Sequence, residues 1–314
     1  MSFLSSCGVF LEDGFTYAIL AMGYYISYTI LDFPDLTVEG TVLSGGVTYA
    51  MLARAGVNPW FAIVVAFAVG VLFGSITGIL HVKLKIRPLL CGILVSTALI
   101  SVNLVASVLV MGGNFRGEEA LTTIPVGRNV PTILNTFPCN LIPMDFLHMN
   151  LRKIIAFLIV ALIFKGIMDL FLKTKAGLLL RATGNNESFV AMLAQNPGKS
   201  KILGLALGNG FASVTGALIV QSRGNANQSM GIGMIVIGLA SLIIGTSVFK
   251  RVRFLRPSSM VIIGSVIYQA CLALATAMGI PTSYNKLIMA LLFTLALVLS
   301  DQLKRQRGGS HAKS

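Results

Sequence analysis

The chain has 314 residues, of which 55% are hydrophobic and only 11% are charged, and its mean hydropathy is +0.84. A soluble domain of average composition carries about 25% charged residues, so the composition excludes an ordinary soluble protein and indicates an integral membrane protein. The apolar runs are about 20 residues long and do not alternate every second residue, which favours helices and excludes a β-barrel. We therefore predict an all-α fold, a polytopic transmembrane helical bundle.

The net charge of +13 comes from basic residues that flank the apolar runs. Sixteen of the 24 Lys and Arg residues fall in four clusters, at residues 83–87, 173–201, 250–256 and 304–313. Positive residues concentrate in cytoplasmic loops, so we predict that these clusters and the C-terminus are cytoplasmic. The charge then reflects membrane orientation and contact with anionic lipid, and it does not indicate a nucleic-acid partner.

The apolar runs predict about nine spanning helices, within a range of about 8 to 10, in a single domain that covers residues 1–314. The runs are 14–31, 37–53, 59–82, 88–111, 153–172, 201–221, 231–249, 258–280 and 284–302. With the basic clusters inside, the N-terminus and residues 112–151, 222–230 and 280–284 fall outside. The stretch 112–151 is too long for a simple connector and contains four prolines, so we expect it to fold over the outer mouth and to dock a partner.

The second apolar run, 37–53, has carboxylates near its start and glycines within it. Asp35 and Glu39 lie near the membrane boundary, and Ser44 stands among Gly40, Gly45 and Gly46. Such a run is either a continuous span or a broken, re-entrant one. In the second case Asp35 and Glu39 are expected to shape the broken helix.

Small residues at every fourth position predict close packing of two helices. The third run carries Gly70, Gly74 and Gly78, and the sixth run carries Gly204, Gly208, Ala212 and Gly216. This spacing places the small residues on one helical face, where another helix can approach closely.

Few ionisable residues lie at membrane depth, where each costs about 2.5 to 3.5 kcal/mol on insertion scales. Lys165 and Asp169 are spaced as an i,i+4 pair on the fifth helix. The candidate pathway residues are otherwise mostly neutral and polar, and each could instead bond a neighbouring helix. They are Asp35, Glu39, Ser44, Ser96, Thr97, Asn103, Asn209 and Gln221. Together they predict a weakly polar translocation pathway.

A polar, amphipathic segment, residues 173–199, interrupts the apolar pattern. We predict a short helix within residues 176–195, a sharp bend at Gly184, a turn or helix start at Asn185, Asn186 and Glu187, and an apolar face formed by Phe189, Met192 and Leu193. Such a helix either lies on the lipid surface or inserts into a groove of a soluble partner, and physical chemistry alone leaves both open.

An enzyme is the alternative from another class, because membrane-embedded enzymes share this composition. His81, His148 and His311 are too scattered to form one site, and neither HExxH nor GxSxG occurs. The four cysteines lack metal-ligand spacing, so no metal site is predicted. The run 196–200 resembles the end of a phosphate-binding loop, but residue 193, which should be its first glycine, is Leu. We predict no ATP site, no cofactor and no catalytic activity, while a membrane-embedded enzyme or a scaffold remains the alternative.

Two motifs resemble one family. Residues 177–187 and the following Gln195 and Asn196 are similar to the cytoplasmic coupling segment of permease subunits in bacterial ABC importers of the branched-chain amino-acid and ribose type. Residues 33–40, Phe-Pro-Asp-Leu-Thr-Val-Glu-Gly, are similar to the early motif of that family. The resemblance spans about residues 15–302 and assigns the ATPase contact to Gly177, Arg181, Ala182, Thr183, Gly184, Asn185, Asn186 and Glu187.

The resemblance implies a mechanism and partners. Two permease copies pair around a central pathway, two ATPase subunits clasp the coupling segments, and an extracytoplasmic binding lipoprotein delivers the substrate. ATP and magnesium belong to the ATPase, and the location is the bacterial inner membrane. The implied substrates are amino acids, branched-chain or aromatic. Sugars, nucleosides and vitamins such as riboflavin remain alternatives within the family.

Overall fold

The computed structural model describes residues 3–111, 123–127, 130, 132–136, 139, 151–249, 252, 254–278, 284 and 287–298, with side chains from residue 8 onward except at residue 111. The helices in chain order are α1 (Phe3–Tyr24), α2 (Thr37–Arg54), α3 (Pro59–Leu84), α4 (Pro88–Met111), α5 (Leu151–Phe171), α6 (Lys175–Asn185), α7 (Glu187–Met192), α8 (Pro197–Arg223), α9 (Met234–Val248), α10 (Pro257–Ala277) and α11 (Leu287–Val298). Two short strands are also present, β1 (Thr123–Pro125) and β2 (Asn225–Asn227).

The helices confirm the predicted polytopic bundle. Of the helices that the structure describes, six are long and apolar enough to cross a membrane: α3, α4, α5, α8, α9 with the turn before it, and α10. The first two predicted runs correspond to α1 and α2, and the last corresponds to the shorter apolar α11. Each predicted apolar run therefore overlaps a helix within the described residues.

Helix α8 is the central helix of the bundle. In its most apolar stretch 83% of the residues are buried, against 22% to 44% in the other spanning helices. Small residues make this possible, because the glycines of α3 let that helix cross α8 closely, and Gly208 and Gly216 of α8 lie against Gly23 and Val42 of α1 and α2. A Cβ added to Gly70 or Gly74 would collide with the carbonyl of Asn209 or Leu205, and one added to Gly78 would lie 2.8 Å from the Cα of Ile202. The predicted close packing is confirmed, and the descending partner numbers show that the two helices are antiparallel.

The chain breaks before α2 and not within it. Helix α1 continues into a π-helical turn, Tyr25–Ile30, and residues 31–36 then form an irregular link in which Asp32 has a positive φ of 53°. Asp35 Oδ1 accepts a hydrogen bond of 2.9 Å from the backbone N–H of Thr37, the first residue of α2. Of the two alternatives for the second run, the structure shows a continuous helix with the break at its start.

Two of the four basic clusters, 83–87 and 173–201, meet at one end of the bundle together with Arg256, the described basic residue of the cluster 250–256. A Cβ added to Gly198 would lie 2.5 Å from Val82 Cγ1, and Arg256 forms an ion pair of 3.2 Å with Asp169 at the end of α5. We call this the basic end. If these clusters lie on one side of the membrane, they must lie at the same end of the bundle, as they do here. That this side is the cytoplasm stays a prediction. The fourth cluster lies outside the described residues.

The opposite end brings together two segments that were both predicted to be external. Strand β1 pairs antiparallel with β2, and the N–H of Ile133 donates to Gln221 Oε1 at 3.1 Å. Glu12 of α1 accepts a hydrogen bond from Ser222, so the first helix also starts at this end. Most of the stretch 112–151 lies outside the described residues, and its predicted position over an outer mouth stays a prediction.

Candidate functional site

The segment 173–199 forms two short helices with capped starts. Thr174 Oγ1 accepts from Gly177 N at 3.2 Å before α6, and Asn186 Oδ1 accepts from Phe189 N at 3.0 Å before α7. Asn196 Oδ1 then accepts from Gly198 N at 3.0 Å before α8. Each cap satisfies an N–H that has no partner inside its helix, so it ends one helix and starts the next.

The single helix expected within residues 176–195 is therefore divided at Asn186, whose backbone is extended with φ −156° and ψ 98°. The predicted helix start at Asn185, Asn186 and Glu187 is confirmed. The predicted bend at Gly184 is wrong, because Gly184 lies inside α6. Its lack of a Cβ serves close packing, since an added Cβ would collide with the carbonyl of Ile30.

The eight predicted coupling residues divide into an inner and an outer set. Gly177 and Thr183 are buried, with Gly177 against the carbonyl of Phe171, and Ala182 and Gly184 are half-buried. The exposed members are Arg181, Asn185, Asn186 and Glu187. The inner set holds α6 against the bundle, while the outer set is available to a partner.

Large apolar side chains are exposed beside that outer set. Leu178, Phe189, Met192 and Leu193 are 56%, 52%, 83% and 55% exposed, and we call them the apolar knobs. Val190 on α7 is fully buried, and Glu187 forms an ion pair of 2.6 Å with Lys201 of α8. Phe189 and Met192 are thus presented on a helix that is fixed to the bundle at two points, with Leu193 directly after it and Leu178 on α6.

The candidate pathway residues belong mainly to hydrogen bonds between helices. Asn209 Nδ2 donates to Asp35 Oδ2 at 2.6 Å, and Thr41 donates to Asn209 Oδ1 at 2.9 Å. The hydroxyls of Thr37 and Thr77 lie 2.9 Å apart. These five buried residues, the Asp35 network, join the link before α2 to α2, α3 and α8.

The other candidates occupy separate places. Asn103 of α4 donates to Ser44 of α2 at 2.9 Å, Glu39 Oε1 accepts from Gly233 N at 2.9 Å, and Gln221 bonds the segment near β1. Ser96 is half-buried against Gly40, whereas Thr97 is exposed on the outer side of α4. Within one chain these residues do not converge on a common pathway.

A cavity at the opposite end contains residues that sequence analysis did not select. It measures about 420 Å³, and Arg223 Nη2 donates to the hydroxyl of Tyr17 at 3.2 Å in its wall. Its apolar lining includes Ile219, Met230, Met234, Ile237 and Met289. One signal was available, because Arg223 is among the few basic residues on the predicted external side. Among the described residues, no three His, Cys, Asp or Glu side chains are placed to hold a metal ion.

Comparison with known proteins identifies the family. Residues 9–297 match the model of the branched-chain amino acid transport system permease component. The chain is 36% identical over 287 residues to a tyrosine transport system permease protein of Clostridioides difficile, covering 90% of this chain and 88% of that relative.

Two more distant relatives carry other names. A probable branched-chain amino acid transport permease of Methanocaldococcus jannaschii is 24% identical, over 64% of this chain and 61% of its own length. A fructose import permease of Bifidobacterium longum is 22% identical, over 84% and 74%. No solved structure matches the chain significantly. With its multi-pass helical bundle and a family match over nearly its whole length, the chain belongs to the permease components of branched-chain amino acid transport systems, within the ABC importer family.

Proposed function

We propose that this permease carries amino acids across the bacterial inner membrane, driven by a separate ATPase that grips the segment 173–199 from the cytoplasm. The observation that carries the proposal is the exposure of the apolar knobs on α6 and on the capped and anchored α7 at the basic end. Exposed apolar side chains among charged neighbours mark a protein or a membrane interface, and membership of the permease family favours an ATPase as the partner. In this arrangement the ATPase supplies ATP and magnesium, and the permease supplies the pathway.

The coupling segment has the connections that such a role needs. Helix α6 packs against the π-helical turn through Gly184 and against the end of α5 through Gly177. Leu180 of α6 and Leu31 of the link both contact the position of Gly204 on α8. Movement of α6 by an ATPase would therefore be transmitted to α8 and to the link that contains Asp35.

The cavity at the opposite end supports an amino acid as the substrate. The guanidinium of Arg223 offers hydrogen bonds and charge to a carboxylate, and the methionine and isoleucine side chains suit an apolar or aromatic side chain. A neutral sugar has neither an apolar or aromatic side chain nor a carboxylate. The similarity to a tyrosine permease supports the same choice, and fructose import is the runner-up because of the more distant relative.

Uptake by whole cells tests the proposal. Cells that lack this chain should lose ATP-dependent uptake of radiolabelled L-tyrosine or L-leucine, and the reintroduced chain should restore it. The double variant Phe189→Ser/Met192→Ser should restore less than about a tenth of that uptake, since buried anchors of an interface are each worth about 1–2 kcal/mol or more. A matched control is Ile163→Ser/Leu170→Ser on the exposed face of α5.

Three outcomes decide between the candidates. If cells that lack this chain lose fructose uptake but keep amino-acid uptake, the substrate is a sugar and not an amino acid. Full uptake by the double variant, at equal protein levels, would contradict the coupling assignment. Chemical activity of the isolated chain on a lipid or peptide would favour the membrane-enzyme alternative.

A further inference from the structure

We propose that the basic end carries a binding site for the phosphate of an anionic phospholipid, in the cavity between α5, α6 and α10. The site does not require the proposed substrate or the ATPase. It is assigned by a surplus of positive charge around a defined cavity and by an open apolar surface that leads from it towards the membrane.

The cavity is lined by cations from three separate parts of the chain. Lys173 follows α5, Arg181 lies on α6, and Arg256 immediately precedes α10. The cavity volume is about 180 Å³, and Asp169 and Ser258 contribute the remaining polar wall. Because the three cations stand on different elements, they surround a space and do not form one solvated helical face.

The only carboxylate in the described lining is already engaged. Asp169 accepts hydrogen bonds from Lys165 at 3.2 Å, from Arg256 at 3.2 Å and from Ser258 at 2.7 Å. Three lining cations therefore face one lining anion, which leaves a surplus of two positive charges at the cavity, and Lys165 neutralises the same anion from outside the lining. A phosphate, with its several acceptor oxygens, suits the unused N–H groups of Arg181, Arg256 and Lys173.

The start of α10 adds to the same field. Pro257 and Ser258, its first two residues, line the cavity, and the preceding Arg256 provides no side-chain cap. The N-terminus of a helix carries a partial positive charge that favours a nearby anion. This contribution is secondary to the three cations, but it has the same sign.

The face of α5 beneath the cavity favours a lipid over free phosphate. Leu162, Gly166 and Asp169 are spaced four and three residues apart, so they lie on one side of the helix. Gly166 has nothing within 4 Å of where a Cβ would project, and Leu162 is 51% exposed. An open apolar strip thus continues from the cavity into the membrane, where an acyl chain would lie. Basic pockets between helices at a membrane surface bind anionic headgroups for this reason.

Lipid binding would act on the coupling segment directly. Arg181 lies on α6, whereas Lys173 and Arg256 belong to the neighbouring ends of α5 and α10. A phosphate between them would hold α6 towards the bundle. The expected consequence is that anionic lipid limits how far α6 can move.

Lipid titration of the purified chain in detergent, followed by native mass spectrometry, tests the site. The probes are phosphatidylglycerol, phosphatidylcholine and inorganic phosphate. The variant Lys173→Gln/Arg256→Gln should bind phosphatidylglycerol about 30-fold more weakly, because each cation near a headgroup contributes about 1 kcal/mol. The matched control is Lys83→Gln/Lys199→Gln, which removes two exposed cations of the same end outside the cavity.

A second variant distinguishes binding of the lipid's acyl chain from binding of its phosphate alone. Gly166→Phe fills the open strip without changing any charge and meets no neighbouring atom at its Cβ. It should weaken phosphatidylglycerol binding at least fivefold while leaving the weak binding of inorganic phosphate unchanged. It also carries the test if the double cation variant does not give a monodisperse protein.

The proposal is overturned by any of three results. An equal loss in the control variant would show a general charge effect. No effect of Gly166→Phe, with inorganic phosphate competing fully, would show a free-phosphate site. Unchanged phosphatidylglycerol binding in both test variants would show that the cavity does not bind lipid, and the cations would then be available to acidic side chains of a protein partner.

Discussion

Asn209 holds a buried carboxylate at the centre of the bundle. Asp35 is 2% exposed, and in the described structure its carboxylate receives the side-chain amide of Asn209 and the backbone N–H of Thr37. A buried anion is tolerated only where such donors replace water. The same Asn209 accepts from Thr41, so a single side chain ties α2 and the preceding link to the central helix.

Replacement of Asn209 should therefore be costly. Asn209→Leu leaves Asp35 with one fewer charge-assisted hydrogen bond, and we expect the free energy of unfolding to fall by about 1.5–3 kcal/mol. The change is measured as a lower thermal unfolding midpoint in detergent. Asn103→Leu, which breaks a bond to the neutral Ser44, is the control and should cost about half as much.

Adding Asp35→Asn to the Asn209 variant should recover part of the loss, because the unsatisfied charge is then gone. If Asn209→Leu unfolds no earlier than Asn103→Leu, the charge on Asp35 is not what the amide stabilises.

Arg223 is predicted to distinguish substrates by their carboxylate. Arg223→Gln keeps hydrogen-bonding capacity but removes the charge, so the KM for L-tyrosine uptake should rise about tenfold, the loss of one charge-assisted contact. The measurement is initial uptake at varied substrate concentration. Arg54→Gln, which changes the basic residue at the end of α2 and does not line the cavity, is the control. An unchanged KM would remove the cavity from the substrate's route.

At the scale of elements, the fit between α6 and the π-helical turn is set by glycine. A methyl group at Gly184 would collide with the carbonyl of Ile30, whereas one at Gly166 of α5 would meet open space. Gly184→Ala should lower the free energy of unfolding by the cost of overpacking, about 1–3 kcal/mol, and so lower the thermal unfolding midpoint. Gly166→Ala should leave it unchanged or slightly higher, because alanine favours a helix. Equal unfolding midpoints for the two variants would mean that α6 can shift away from Ile30 at no energetic cost.

How far sequence predicts these elements depends on the range of the interactions that form them. The glycines of α3 were recognisable because helix packing repeats every fourth residue, and the caps at Thr174, Asn186 and Asn196 act over two or three residues. Local rules suffice for both. The bend, by contrast, was placed at Gly184, because glycine's freedom to turn and its freedom to pack closely look the same in a sequence.

The candidate site was predicted unevenly for the same reason. The amphipathic pattern of 187–193 indicated the exposed apolar side chains directly. The partnership of Asp35 with Asn209 joins residues 174 positions apart, and no local pattern indicates it. Polar residues selected as a pathway consequently form, for the most part, the hydrogen bonds between helices that were the alternative interpretation.

For the whole molecule, the position of α4 bears on how many chains form a pathway. Only 22% of its most apolar stretch is buried within the chain, the lowest share among the spanning helices. Thr97 lies on its exposed side and bonds only the carbonyl of Ile93 in the described structure. A polar residue in that place can line a pathway only if a second helix bundle faces it.

We therefore expect two copies of the chain to meet along α4. In a background without the native cysteines, Thr97→Cys should form an intermolecular cross-link with a short bifunctional maleimide in native membranes, visible as a dimer on a denaturing gel. Leu170→Cys, which is 68% exposed on α5, is the control and should stay monomeric under the same conditions. Cross-linking at α5 but not at α4 would place the contact between copies on the other side of the bundle, and Thr97 would then face lipid instead of a substrate.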